Sequence, residues 1–248
     1  MRKIVATVSL ALVAASLAAC SGGGGKTAST PQPLVKLTQC PALTPLARPS
    51  LARTTPVTLP EGTVKGLSGI IKSSPTMLGV ATLGGATHCV DVRLMSSVDR
   101  VELLQGGRFV SFDWKGYQNL GYPADGHVLI DRTGAGQHVD TGGMPVFSPS
   151  GLLAASAYQS ETAFAQVDGL AIWQVTPAGL VRVTSVDKLP DMRDWRVDGW
   201  GGESCINLSA TPFSRKGATP GRTRYTAKKL GNGWDVTEAF GSGCRPGS

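Results

Sequence analysis

Two stretches of the chain are copies of one another, and the distance between them limits what the chain can fold into. Residues 126–141 read GHVLIDRTGAGQHVDT and residues 169–184 read GLAIWQVTPAGLVRVT, so Gly126, Thr133, Gly136 and Thr141 recur 43 residues later as Gly169, Thr176, Gly179 and Thr184. Each copy is two β-type runs around a tight turn where glycine is free to adopt positive φ. The runs before them correspond too, GGRFVSF at 106–112 with SGLLAAS at 150–156, at an offset of 44. No segment shows sustained helical periodicity.

A period of 40 to 45 residues with about four short strands per unit is the spacing of propeller blades, whose sheets cover one another's faces. The expected fold is therefore all-β, with antiparallel four-stranded blade-like sheets forming a small or incomplete β-propeller. The alternative is a set of stacked β-sheets or a β-sandwich. Fainter copies flank the clear ones. The turn Leu83-Gly84-Gly85-Ala86 lies between two apolar runs, 196–210 carries Trp200 and a strand at 205–208, and 225–236 is a hairpin around Gly231-Asn232-Gly233. A little over four units fit after residue 61, and four is the lower limit for a closed ring.

Residues 146–154, VFSPSGLLA, resemble the FSPDG turn of WD40-like periplasmic repeats, with Ser150 in place of the Asp, and Ile172-Trp173 resembles their third-strand aromatic. The resemblance covers residues 101–188. It implies that the proline turn closes the hairpin between the first two strands of a blade.

The start of the chain speaks to location. Arg2 and Lys3 precede an apolar run over 4–17, which as a helix spans only about 21 Å against a hydrocarbon core of roughly 30 Å. It reads as a signal-peptide core. Leu17-Ala18-Ala19-Cys20 resembles the lipobox of bacterial lipoproteins, and Ser21-Gly22-Gly23-Gly24-Gly25 follows as a flexible tether. The resemblance implies cleavage before Cys20, acylation of its sulfur and attachment to a membrane, which several acyl chains make effectively permanent. The expected organisation is a lipoprotein signal peptide over 1–19, a lipid anchor and Gly/Ser/Pro-rich tether over 20–62, and the β domain over 63–248. Ser21 is not the Asp of inner-membrane retention. The expected location is the outer membrane facing the periplasm, with the inner membrane and the cell surface as alternatives.

With Cys20 assigned to lipid, Cys40, Cys89, Cys205 and Cys244 remain. Four cysteines in an oxidising compartment point to two disulfides. Of three connectivities, Cys40–Cys89 with Cys205–Cys244 is preferred, because each staples a terminal segment to an expected strand (90–94 and 206–208). No Cys-x-x-Cys pair occurs, and His88, His127 and His138 form no ligand-like cluster in sequence, so neither metal nor cofactor is expected.

The chain carries a formal charge of +7, lowered to +5 without Arg2 and Lys3. Part of the excess is local: Arg215, Lys216, Arg222, Arg224, Lys228 and Lys229 lie in a run without an acidic residue. They are a candidate patch for an anionic glycan or an envelope protein. The plainer alternative is a strand edge guarded by charge. Nucleic acid is not an expected partner in this compartment.

Motifs for catalysis are missing. There is no Gly-x-Ser-x-Gly elbow and no phosphate-binding glycine loop ahead of a helix. No catalytic residue is expected. The candidate ligand loop is 187–200, where Asp191, Asp194 and Asp198 surround Trp195 and Trp200. Two acids beside aromatics suit a carbohydrate-active enzyme or a cell-wall glycan binder. The plainer reading is an inter-blade loop whose acids offset Lys188, Arg193 and Arg196. The sequence therefore favours a non-enzymatic binding or assembly module held at a membrane.

Overall fold

The structure is a computed structural model that describes residues 34–45, 57–59, 67–116, 125–159, 168–213, 221–241 and 243–245. The leader over 1–19, Cys20, Arg215 and Lys216 lie outside the described residues.

The chain is all-β. Four separate antiparallel sheets follow one another along the sequence. The first holds β1 (Ile71–Ser73), β2 (Met77–Ala81) and β3 (Thr87–Asp91). The second holds β4 (Met95–Leu104), β5 (Phe109–Gly116), β6 (Asp125–Asp131) and β7 (Gln137–Asp140). The third holds β8 (Val146–Phe147), β9 (Leu153–Tyr158), β10 (Gly169–Thr176) and β11 (Gly179–Val186). The fourth holds β12 (Arg193–Trp200), β13 (Cys205–Thr211), β14 (Thr223–Leu230) and β15 (Gly233–Glu238). In every sheet, strands adjacent in sequence are hydrogen-bonded neighbours. The first sheet has three strands among the described residues, one fewer than the repeat leads one to expect.

The 43-residue repeat is the β6–β7 hairpin and its counterpart β10–β11. The proline turn at 148–152 joins β8 to β9, the first two strands of their sheet. Two-residue alternation explains why β6 and β10 read as nearly unbroken apolar runs. Phe109 and Leu129 pack with Ala154, Ala171 and Trp173 of the third sheet, while Val110, Phe112, Val128 and Ile130 on the other face pack with Leu78, Val80 and Val90 of the first. The third sheet repeats the pattern, turning Ala155, Ala157, Leu170 and Ile172 toward Ile206, Leu208 and Tyr225 of the fourth. Successive side chains point to opposite faces, and the two middle sheets are covered on both, so apolar side chains occupy successive positions in the middle of their central strands, with Ser111, His127 and Ser156 as buried polar exceptions. At roughly 1.5–3 kcal/mol for each large buried side chain, these three interfaces are the main stabilising term.

The outermost faces are closed differently. On the first sheet, a Cβ at Gly79 would come within 2.7 Å of Leu37 and 3.3 Å of Val35, so the 34–40 segment lies against that face. Cys40 bonds to Cys89 of β3. On the fourth sheet, Asn207 exchanges two hydrogen bonds with the backbone of Cys244, at 2.7 and 3.1 Å, and Cys244 bonds to Cys205. These are the two pairings preferred from the sequence.

In the second, third and fourth sheets the turns joining first to second and third to fourth strands leave at one end, together with the β2–β3 turn of the first sheet, and there side chains tie each sheet to the next. Arg132, 3 % exposed, donates to Ala81 O at 2.7 Å and to Gly107 O at 2.5 Å. Arg108 bridges the Asp131 carboxylate (2.6 Å) and Thr176 O (2.5 Å), and Gln137 makes two bonds to the backbone of Leu180. Glu203 accepts from the Ser150 amide at 3.0 Å.

Candidate functional site

In the second, third and fourth sheets the connections between second and third strands leave at the opposite end, and a cleft of about 1420 Å³ opens there across all three. Its wall mixes Asp99, Asp113, Asp125, Asp191 and Asp194 with Arg100, Lys115, Arg193, Arg196 and Arg222, beside Trp114, Tyr158, Trp195 and Phe213.

The first strands of the second and fourth sheets reach this cleft through irregular backbone. The β4–β5 register shifts between Asp99 and Glu102, and the β12–β13 register between Arg193 and Arg196. Each bulge holds a non-glycine residue in the left-handed region, Arg100 at φ 47° and Asp194 at φ 53°. Bulges of this kind re-aim side chains, and left-handed non-glycine residues concentrate at functional sites.

The 187–200 stretch expected as a loop is instead a strand over most of its length. Trp195 and Val197 are buried while Arg196 and Asp198 between them are exposed, which is the two-residue alternation of a sheet with one covered face. Its candidates divide accordingly. Asp191, Asp194 and Trp195 line the cleft; Asp194 is exposed beside Arg193, and the Trp195 ring lies 4.7 Å from that of Tyr225. Asp198 sits in a neighbouring hollow, held by Arg196 at 2.8 Å and Ser209 at 2.9 Å. Trp200 donates to Val146 O at 2.9 Å and meets Trp234 edge-on, so it joins the third and fourth sheets.

The basic residues also separate. Arg222 lies in the cleft wall, donating to Ser209 and to Asp194 O at 2.6 Å, and Arg224 borders the neighbouring hollow. Lys228 and Lys229 sit at the turn end of β14, roughly 15 Å farther along at about 3.3 Å per residue. The described members therefore do not form one patch. A sequence run placed on a strand is stretched along it, and alternation puts Lys228 and Lys229 on opposite faces.

One cleft feature escaped the sequence reading. Asp113 of β5 is paired across the sheet with His127 of β6, its Oδ1 lying 2.6 Å from Nδ1 of a ring only 2 % exposed. Its other oxygen is paired with Arg100. Burial raises the Asp113 carboxyl, but the hydrogen bonds and charges of His127 and Arg100 outweigh it and hold the group below its ordinary value of 3.8. A signal was present. In the next sheet Ala157 pairs with Leu170 at the same place, so the repeat sets a charged pair opposite an apolar one.

Among the described residues, the buried side-chain atoms without a partner are Ser111 Oγ, Trp114 Nε1, His127 Nε2, Gln159 Oε1 and Trp195 Nε1. Trp114, Gln159 and Trp195 line the cleft, and His127 is bonded to it through Asp113. Such atoms are rare in folded chains, and here four of the five gather at one end, Ser111 being the exception. No group of three or more His, Cys, Asp or Glu among the described residues could hold a metal ion, and no helix among them is long and apolar enough to cross a membrane. Compared with known proteins, the chain matches no family model, no curated protein and no solved structure.

Proposed function

We propose that the chain is a bacterial lipoprotein, anchored through acylated Cys20 to the outer membrane and facing the periplasm, whose β domain is a non-enzymatic binding module. The four sheets act as blades of an incomplete propeller, with the cleft at the mouth that their first strands surround. The observation that carries the binding reading is the composition of that mouth. Five acids and five bases share one wall with four aromatic rings, which suits a polar ligand or protein segment bearing its own charges and flat apolar faces, such as a cell-wall glycan or an envelope protein. The unpartnered polar atoms at the same end support it, since a ligand that reorders the wall supplies what they lack.

Catalysis is not part of the proposal. The acids of the 187–200 stretch are divided between two hollows, and Asp198 is committed to Arg196 and Ser209.

Site-specific photocrosslinking in intact cells tests the reading. A crosslinker at Met144, 42 % exposed in the cleft wall, is expected to capture a partner or glycan, and one at Leu230, 64 % exposed at the turn end, is not. Equal capture at both positions overturns it. The anchor is tested separately by palmitate labelling of wild type and Cys20→Ala, where equal labelling refutes acylation.

A further inference from the structure

His88 and His138 are 50 residues apart in sequence and belong to different sheets, β3 and β7. Their rings meet with His88 Nε2 2.8 Å from His138 Nδ1 and centroids 5.1 Å apart. We propose that these two nitrogens form a chelating site for a divalent transition metal of the copper, nickel and zinc class, independent of the cleft and of its proposed role.

The geometry comes first. With metal–imidazole bonds of about 2.0–2.1 Å, two nitrogens in adjacent coordination positions stand about 2.9 Å apart. The pair already stands at nearly that spacing, and metal entry turns each ring so that its nitrogen lone pair leaves the line to the other nitrogen and meets the metal. In the metal-free pair one proton lies between the nitrogens, so metal entry requires the ring that carries it there to hold it on its other nitrogen instead. No proton leaves the site.

The supports of the pair are those a ligating histidine needs. The backbone of Ala135, next to Gly136, also interacts with the His88 ring, the kind of outer contact that orients a ligating imidazole. Gly136 provides the space: a Cβ there would lie 2.5 Å from Cβ and 2.9 Å from Nδ1 of His88, and its φ of 86° suits glycine. Cys89, the next residue, is bonded to Cys40, so the strand carrying His88 is fixed on the other side. His138 keeps an exposed edge, so the remaining coordination positions fall to water. Imidazole ligands with open positions favour Cu²⁺ over Ni²⁺ and Zn²⁺ in the usual order of affinity.

The test uses the purified full chain with disulfides intact and Cu²⁺ alone as probe. One equivalent is expected to bind, with electron paramagnetic resonance splitting from two imidazole nitrogens. His138→Ala should weaken binding at least tenfold and remove the two-nitrogen splitting, and His127→Gln should change neither. His138→Ala is the primary variant because its ring edge is exposed. His88→Ala repeats the test, with near-ultraviolet circular dichroism to confirm its fold. Undetectable copper binding, equal affinity in wild type and His138→Ala, or copper bound without the two-nitrogen signature each overturns the proposal.

Discussion

The two ends of the sheets are built on different principles. At the turn end, charged side chains are used as ties: Arg132 and Arg108 spend their donors on backbone carbonyls of the neighbouring sheet. At the cleft end, charges line a void, two bulged strands hold left-handed residues, and buried polar atoms go unpaired. One end holds the sheets in place, and the other, where we propose that a ligand binds, leaves polar groups unused. Changes at the turn end should therefore cost stability, and changes at the cleft end should cost little or even add some.

Four measurements break or sharpen that contrast. The largest effect belongs to the staples on the outer faces. Removing Cys205–Cys244, with 39 residues of separation, should cost about 4 kcal/mol in the chain-entropy model, read as a lowered denaturant midpoint, with a similar loss for Cys40–Cys89. Next is Arg132→Ala, which leaves the buried Ala81 carbonyl and the half-buried Gly107 carbonyl without their donor. A loss of about 3 kcal/mol is expected from truncating a buried, charged hydrogen-bond donor, and a loss below about 1 kcal/mol would show that the turn-end ties are ornamental.

Asp113→Asn ranks third, at about 1–2 kcal/mol near neutral pH, because His127 keeps an acceptor but loses its charged partner. Its pH signature distinguishes it. The folded-state pKa of Asp113 lies below 3.8, so its contribution is present above that value and fades as pH falls through the lower folded one. The gap between wild type and variant should therefore narrow below about pH 4, and a constant gap down to pH 2 would remove the charge of Asp113 as its cause. The smallest effect has the opposite sign. Asp194→Gly relieves a left-handed residue at φ 53° and should stabilise by less than about 1 kcal/mol. A clear loss would show that the Asp194 side chain supports the wall.

Legibility in the sequence followed the same division. The hairpins were readable because glycines and threonines mark turn positions that the backbone itself demands, and the middle strands because both of their faces are covered. The disulfide partners followed from that layout. Asp191, Asp194 and Trp195 were also found, but as parts of a loop, since the bulges of β12 blur its two-residue alternation. Contacts between sheets were not readable. Nothing local brings Trp200 to Val146, or His88 to His138, because those meetings depend on how whole sheets lie against one another. Asp113 and His127 were readable in principle, as the place where two copies of the repeat disagree most in polarity.

The capped outer faces have a consequence for growth of the array. Row-like assemblies of similar layers can in general lengthen by adding another layer at either side, or by recruiting one from a second molecule. Here each side is sealed by a short segment cross-linked to the layer beneath. An added layer could enter only in the interior, between β3 and β4, between β7 and β8 or between β11 and β12, so the array is terminated by covalent chemistry and cannot extend into a fibre while its sulfurs remain oxidised.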